Sequence, residues 1–296
     1  MFYPEEWQVQ KKLLRSGAAL LGRPVLPLVS MVEFFLLTGG FTTASEVIDQ
    51  LPAPIATEYA DYEQPKESLA PYRALLNQLP GYFSGQDLPC RVTDVEGKGL
   101  DRHTAAGLWI RQEILTAELE KINSLLCGPC RCTLCCIGPD ETMEQDFFEI
   151  PLRPDEVALF PVEQIDTVQS RQHAAMDASC LYTDQGPFYQ RPTPVVIRWR
   201  DGWSMILPKG SSCPQQEAET GRCDVYEKRP LVCRRPQIFP YILEPVRAPH
   251  EARPVYRQRS TILAVMDCPY VQLLQEEIAA YAAACELEVL FSYNKG

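Results

Sequence analysis

Histidine is scarce in this chain of 296 residues: there are three, His103, His173 and His250, and no two form a His-x3-His pair. That scarcity leaves a mixed cysteine–histidine metal site without support and gives no Ser–His–Asp or Cys–His arrangement for nucleophilic catalysis. Positive charge is also short. Lys and Arg number 28 against 39 Asp and Glu, for a net charge of −11, whereas a nucleic-acid partner calls for a basic face. Long apolar runs are missing too, since the stretch from Ala18 to Thr38 is broken by Arg23, Pro24, Pro27 and Glu33. The opening Met1-Phe-Tyr-Pro-Glu-Glu-Trp7 has no positive n-region. Neither a signal peptide nor a membrane-spanning helix is expected, and the expected setting is a reducing cytoplasm where thiols stay free. There is no internal repeat and no low-complexity tract; the 26 prolines are spread along the chain and point to many rigid loops.

Cysteine is present in quantity and in groups. Five of the twelve fall within ten residues, Cys127-Gly-Pro-Cys130-Arg-Cys132-Thr-Leu-Cys135-Cys136, and three more follow at Cys213, Cys223 and Cys233. The density is well below that of a small disulfide scaffold, and clustering suits a shared ion better than dispersed staples. Thiolates bind zinc and iron–sulfur clusters tightly, and short spacings let one turn of backbone aim two sulfurs at one ion. Cys132-x-x-Cys135 has the chelating spacing, while Cys136 serves a second ion or the opposite side of one site. The candidate ligands are therefore Cys127, Cys130, Cys132, Cys135, Cys136, Cys213, Cys223 and Cys233. Eight thiols make two tetrahedral sites, or one cluster with thiols to spare. Cys90, Cys180 and Cys285 stand alone and read as core thiols; Cys268 precedes a helix, whose N-terminus lowers a thiol's pKa.

The elements around these groups predict an α+β fold: a helical N-terminal part, 1–100, and a loop-rich, cysteine-clustered metal-binding core with a β-hairpin, 101–296, with a soft boundary near residue 100. Thr43-x-x-Glu46 reads as a capping box. Lys66 to Leu79 reads as a helix bent at Pro71 and stopped by Pro80-Gly81. Leu108, Leu115, Leu119, Ile122 and Leu126 recur at helical spacing across Thr104 to Leu126, a helix that delivers the chain into the first cysteine group. Phe147 to Leu152 reads as a strand and Pro154 to Phe160 as a short helix. Val195 to Arg200 and Trp203 to Leu207 flank Asp201-Gly202, a strong hairpin signal, and the second strand leads to Cys213. Pro269 to Cys285 reads as a closing helix. Gly221 suits a tight turn before Cys223, and Pro230 restricts the backbone before Cys233. From Arg222 to Arg259 nine Lys and Arg face four Asp and Glu. That basic stretch is either a solvated surface or a set of cations offsetting thiolate charge. Tyr226, Glu227, Arg229 and Arg234 are either ligand-orienting neighbours or an exposed turn.

The run Gly221-Arg-Cys223-x-x-Tyr226-Glu227-x-Arg229-Pro230-x-x-Cys233-Arg234, with Cys213-Pro214 before it and Cys132, Cys135 and Cys136 upstream, resembles the YkgJ-type cysteine-cluster family, which carries a CxxCxxCC signature. The likeness covers about 127–240. Its leading cysteine falls at position 129, occupied by Pro129, so Cys127 or Cys130 takes that role. The resemblance implies binding of zinc or iron, as a mononuclear ion or an iron–sulfur cluster, with the activity unassigned. A relative, the flagellin lysine N-methylase, has a similar cysteine signature and is taken to hold an iron–sulfur cluster, which makes an iron–sulfur-dependent protein-modifying enzyme the alternative. Gly39-Gly40 is too short for a glycine-rich S-adenosylmethionine loop. The expected partner is a metal ion, with no nucleic acid and no membrane.

Overall fold

The computed structural model of the protein describes residues 9, 11–130, 132–174, 181–183, 186–246, 248 and 251–293. Its fold is α+β. In chain order the elements are helices α1 (Arg15–Leu21), α2 (Leu26–Thr38) and α3 (Ala44–Gln50), strands β1 (Ile55–Ala56) and β2 (Asp61–Tyr62), and helices α4 (Pro65–Leu69), α5 (Arg73–Leu76) and α6 (Leu79–Ser84). Strand β3 (Arg91–Thr93) and the long helix α7 (Arg102–Cys130) follow. Next come β4 (Phe147–Leu152), β5 (Gln164–Ile165), β6 (Tyr182–Thr183), β7 (Gly186–Pro187), β8 (Val195–Arg198) and β9 (Trp203–Pro208). The chain ends with α8 (Leu231–Arg234), β10 (Ile238–Val246), β11 (Val255–Val265), α9 (Pro269–Leu273), α10 (Gln275–Ala284) and β12 (Glu288–Ser292). These elements form two compact units, Met1–Cys130 with Gln237–Tyr293, and Arg131–Pro236. Residue 100 lies inside the first unit, because α7 begins just after it and packs on the helices before it.

In the first unit α7 is the spine. Asp101 caps it, accepting hydrogen bonds from the backbone N–H groups of His103 (3.0 Å) and Thr104 (3.1 Å) and from the Thr104 hydroxyl (2.6 Å). Ile110, Ile114, Leu115, Leu119, Ile122 and Leu126 are buried along it, at the spacing that keeps side chains on one side of a helix. Leu108 is only partly buried at the margin of that core. Pro129 has no N–H to give the ladder, and the helix stops one residue later. Arg15–Thr38 has a mean hydropathy of 1.7, apolar enough by composition to cross a membrane. The chain breaks at Gly22–Val25, however, into helices of 7 and 13 residues, and the longer spans about 20 Å against a hydrocarbon thickness of about 30 Å. Leu21, Leu28, Val29 and Val32 enter the core of the unit.

Several local expectations change. The capping box at Thr43 and Glu46 forms as read. The Lys66 to Leu79 stretch is α4, a 3-10 turn over Ala70–Tyr72, and α5, because Pro71 supplies no donor. Pro80 opens α6 instead of stopping a helix, since its missing N–H falls among the first-turn donors that have no intrahelical partner. Pro269 to Cys285 divides at Leu274 into α9 and α10. Pro154 to Phe160 keeps only a 3-10 turn, Val157–Leu159. In the sheet of this unit β11 is central, antiparallel to β10 and parallel to β12 and β3. A bulge between Tyr241 and Leu243 puts Ser260 at φ 53°. Two polar networks lie in the core: Asn123 Nδ2 donates to Ile238 O (3.0 Å) while its Oδ1 accepts from Tyr270 OH (2.9 Å), and Glu118 accepts from Val25 N (2.9 Å) and Tyr281 OH (2.7 Å).

The second unit is built on a sheet in the order β4-β9-β8-β5. The β8–β9 hairpin turns at Asp201-Gly202 as expected, with Val195 opposite Ile206 and Arg198 opposite Trp203. Gly202 has φ 157°. Alternation along the strands sends Val196, Met205, Leu207, Ile150 and Leu152 to one small core, and Val195, Ile197 and Ile206 to another with Phe188 and Trp199.

Candidate metal centre

The far ends of β4 and β9 from that turn carry the cysteine groups. Past Pro208 the chain runs antiparallel to the segment after Cys136: Ile137 bridges Ser212, Gly138 N donates to Ser211 O (2.8 Å), and Cys213 N donates to Cys136 O (2.7 Å). Two cysteines distant in sequence thus become backbone neighbours. The approach depends on Gly138, because a Cβ there would stand 2.0 Å from the carbonyl oxygen of Pro208. A tight hairpin then returns the chain from Gln216 to its bridge partner Cys223, with Gly221 in the left-handed region at φ 68°. Cys233 lies in α8, whose first N–H, from Leu231, donates to the Glu156 carboxylate at 2.8 Å.

The backbone also serves the sulfurs. Leu134 N donates to Cys132 Sγ at 3.5 Å, and the N–H groups of Gln215 and Val225 donate to the thiols of Cys213 and Cys223. In each case the donor lies two residues after the cysteine, and such bonds favour the thiolate, the form that binds metal. Against them stand burial and crowding. Cys136 is pushed far up by its hydrogen bond to the Cys135 thiol, then by burial and the proximity of Cys135, Cys213 and Cys233. Burial foremost, then Cys213 and Cys135, pushes Cys233 up to about 12, with Arg229 opposing. Burial also raises Cys213 and Cys223, and Arg229 draws Cys223 back.

Cys135, Cys136, Cys213, Cys223 and Cys233 are therefore close enough to hinder one another's ionisation, and Cys132 lies on the same loop. Cys135 is exposed and the others half-buried. Among the described residues no group of three or more Cys, His, Asp or Glu side chains already stands in the arrangement of a single ion's ligands. The donor set nevertheless fits a thiophilic cation by its chemistry: a positive ion removes the mutual hindrance, and the turn N–H groups are in place for the thiolates. A second fit comes from Arg234, next to Cys233. Its Nε is buried and has no acceptor among the described residues, so it can serve the negative charge that several thiolates bring to a metal.

Cys127 and Cys130 are placed differently, on the last turn of α7, packed against the core of the first unit. Cys90, Cys268 and Cys285 are buried in that core, Cys268 as the N-cap residue of α9; Cys180 lies outside the described residues. His103 packs near the Phe83 ring, with centroids 5.0 Å apart, and His250 is outside the described residues. The basic stretch divides between the units. Arg253 pairs with Asp87 at 2.7 Å, and Arg257 and Arg259 with Glu244, in the first; Arg222, Lys228, Arg229, Arg234 and Arg235 belong to the second. Arg229 is the cation that eases the thiols. It is 7 % exposed, its Nε donates to Tyr226 O (2.8 Å), and its guanidinium lies 3.6 Å from the centre of the Tyr226 ring.

Residues 126–285, 160 of the 296, match the family model CxxCxxCC, described as "Putative zinc- or iron-chelating domain". The chain belongs to the CxxCxxCC family. No curated protein and no solved structure matches it. The matched region of this CxxCxxCC protein holds the whole second unit and continues through β10, β11, α9 and α10 of the first. Two residues that secure the cysteines were not read from the sequence. Glu156, 6 % exposed, joins Leu231 N to Arg153 N (2.9 Å), and Gly138 permits the close approach to Pro208. Glu156 is one acid among many in sequence, whereas a glycine two residues after a Cys-Cys pair was a signal available to be used.

Proposed function

We propose that the second unit of this zinc- or iron-chelating family member holds its metal through thiolates of Cys132, Cys135, Cys136, Cys213, Cys223 and Cys233, and that the metal fastens two loops distant in sequence into one structure. The reading rests on the backbone pairing of Cys136 with Cys213, which sets the two cysteine groups side by side. The bound metal supplies an electrostatic cross-link. The residues supply the rest: Gln215, Val225 and Leu134 donate N–H groups to sulfur, Arg229 and Arg234 bring positive charge, and Glu156 anchors the helix of Cys233. Six thiols exceed the four of one tetrahedral ion and suit an iron–sulfur cluster as well as zinc. The implied kinship with a lysine N-methylase rests on the cysteine frame alone, and a shared frame does not carry chemistry with it.

The test is elemental analysis and a visible spectrum of the full chain purified without oxygen. At least one equivalent of zinc or iron is expected. A colourless sample identifies zinc, and a brown one with bleachable absorption identifies an iron–sulfur cluster. Cys213→Ser and Cys233→Ser are expected to lose the metal, and Cys90→Ser to retain it. Absence of stoichiometric metal, or its retention in a Cys213→Ser/Cys233→Ser double variant, overturns the reading.

A further inference from the structure

Among the described residues the sheet of the first unit has three outer edges, and two of them are closed. Along β10, side chains of α7 take the outward backbone groups: Asn123 accepts from Ile238 N (3.3 Å) and donates to Ile238 O (3.0 Å), and Gln112 donates to Pro240 O (2.9 Å) and accepts from Leu243 N (2.9 Å). Along β3, Leu100 N donates to Val92 O (3.2 Å) and Thr93 bridges Gly99. The third edge belongs to β12, which pairs with β11 on one side and with no strand or loop among the described residues on the other.

The backbone of β12 is set for a further strand. Ser292 O accepts from Met266 N at 2.8 Å, so Ser292, and by alternation Leu290 and Glu288, turn their backbone groups to β11. Val289 and Phe291 therefore each direct an N–H and a C=O outward. Their side chains pack on the core of the unit, while Leu290, on the opposite face, is 46 % exposed. Leu290 also ends an apolar row across the sheet, since it lies opposite Leu263 of β11, and Leu263 lies opposite Phe239 of β10. The residues that keep a bare edge from pairing are missing: 287–293 holds no Lys, Arg or Pro, and Glu288 is its one charge.

We propose that β12 pairs antiparallel with β12 of a second copy of this chain, about a two-fold axis at Leu290. The match of the segment to itself selects this partner. Opposed residues in an antiparallel pair lie on the same face, and an axis at Leu290 sets the outward-directed Val289 against Phe291, where they exchange N–H···O bonds in both copies. The same register opposes Glu288 to Ser292, Leu287 to Tyr293 and Leu290 to itself: polar meets polar, apolar meets apolar, and no like charges meet. Moving the axis by one residue sets Glu288 or Ser292 against Leu290 instead. With the axis at Leu290, the row of Phe239, Leu263 and Leu290 runs on into the same row of the second copy. Pairing uses up the bare edge on both chains, so the assembly closes at two.

Strands of five residues bury less than the roughly 1,200 Å² of a stable interface, so the dimer depends on concentration. Sedimentation of the metal-loaded full chain between about 10 μM and 1 mM tests it, and a monomer–dimer equilibrium is expected in that range. Val289→Pro removes an N–H that β11 does not use, and Leu290→Lys sets like charges opposite each other; each should weaken the dimer at least tenfold. Ser292→Lys, which faces Glu288 of the second copy, should tighten it severalfold. Amide exchange at Val289 and Phe291 should slow as concentration rises, while Leu290, bonded to β11, stays unchanged. Circular dichroism shows that each variant is folded, and Leu290→Lys, at an exposed position, remains usable if Val289→Pro does not fold. A monomer at every concentration, growth beyond two copies, or undiminished association in the folded variants overturns the proposal. A Ser292→Lys dimer no tighter than the original overturns the register.

Discussion

The two units reach stability by different routes. Among the described residues, the first gathers more than forty buried side chains into one core around α7, closed by internal hydrogen bonds from Asn123 and Glu118. The second has two small cores of seven and six buried residues on a short sheet, and long loops around its cysteines. A core of that size contributes little beyond the conformational entropy it must offset, and small domains are usually supplemented by metals or disulfides. None of the described cysteines is in a disulfide. Apolar burial organises the first unit; on the proposed reading, a metal completes the second.

Metal removal breaks the comparison most forcefully. Structural zinc contributes about 10–16 kcal/mol in small metal-dependent folds. A chelator is expected to abolish amide hydrogen-exchange protection in β8 and β9 while leaving α7 protected. The same split should follow acidification, because thiolates must be free of protons to hold the ion and metal affinity therefore falls with pH. Equal loss of protection in both units would contradict the division. Next in size is Gly138→Ala, whose methyl group cannot coexist with the Pro208 carbonyl. It is expected to cost about 3 kcal/mol, at the upper end for overpacking, and to lower the metal content read by elemental analysis.

Glu118 sharpens the contrast from the side of the first unit. Burial raises its carboxyl from an ordinary 4.5 to about 7, against the hydrogen bonds from Tyr281 and Val25 and the charge of Lys121. Between those values the folded chain keeps a proton that the unfolded chain has released, so stability falls as pH rises through the window. It is fully present below 4.5, and the loss is complete above 7. Glu118→Gln should remove that slope and be more stable at pH 8 by on the order of 2–3 kcal/mol, measured by denaturant unfolding, with metal content unchanged. A slope unchanged in the variant would exclude Glu118 as its source. The smallest effect belongs to Thr43→Ala, which deletes the cap of α3 and should cost about 1 kcal/mol, read as a lower unfolding midpoint with the metal retained.

What was legible in the sequence was mainly local. The capping box at Thr43, the helix into the first cysteine group, the Asp201-Gly202 turn and the turn at Gly221 each depend on residues within a few positions of one another, and each forms. The break at Leu274 and the opening of α6 at Pro80 depended on how a helix end is satisfied, which periodicity does not record. The division into units was least legible. It arises because β10 packs on α7, and β11 takes β12 and β3 as parallel neighbours, pairings between distant segments. For the site, cysteine spacing identified the candidates, while the neighbours that hold them, Glu156 and the Gln215 and Val225 N–H groups, carry no distinctive residue type.

Asn123, near the end of α7, also receives the chain when it returns. Besides its bond to Ile238 O, its Oδ1 accepts from Gln237 N at 3.2 Å and Ile238 N at 3.3 Å, so one amide side chain joins the helix before the second unit to the strand after it. The second unit is thus an insertion in the sequence of the first, and the segments on either side of the insertion are joined within the first unit by that side chain. That joint belongs wholly to the first unit, so it holds the two ends of the inserted segment together without calling on the cysteine loops between them.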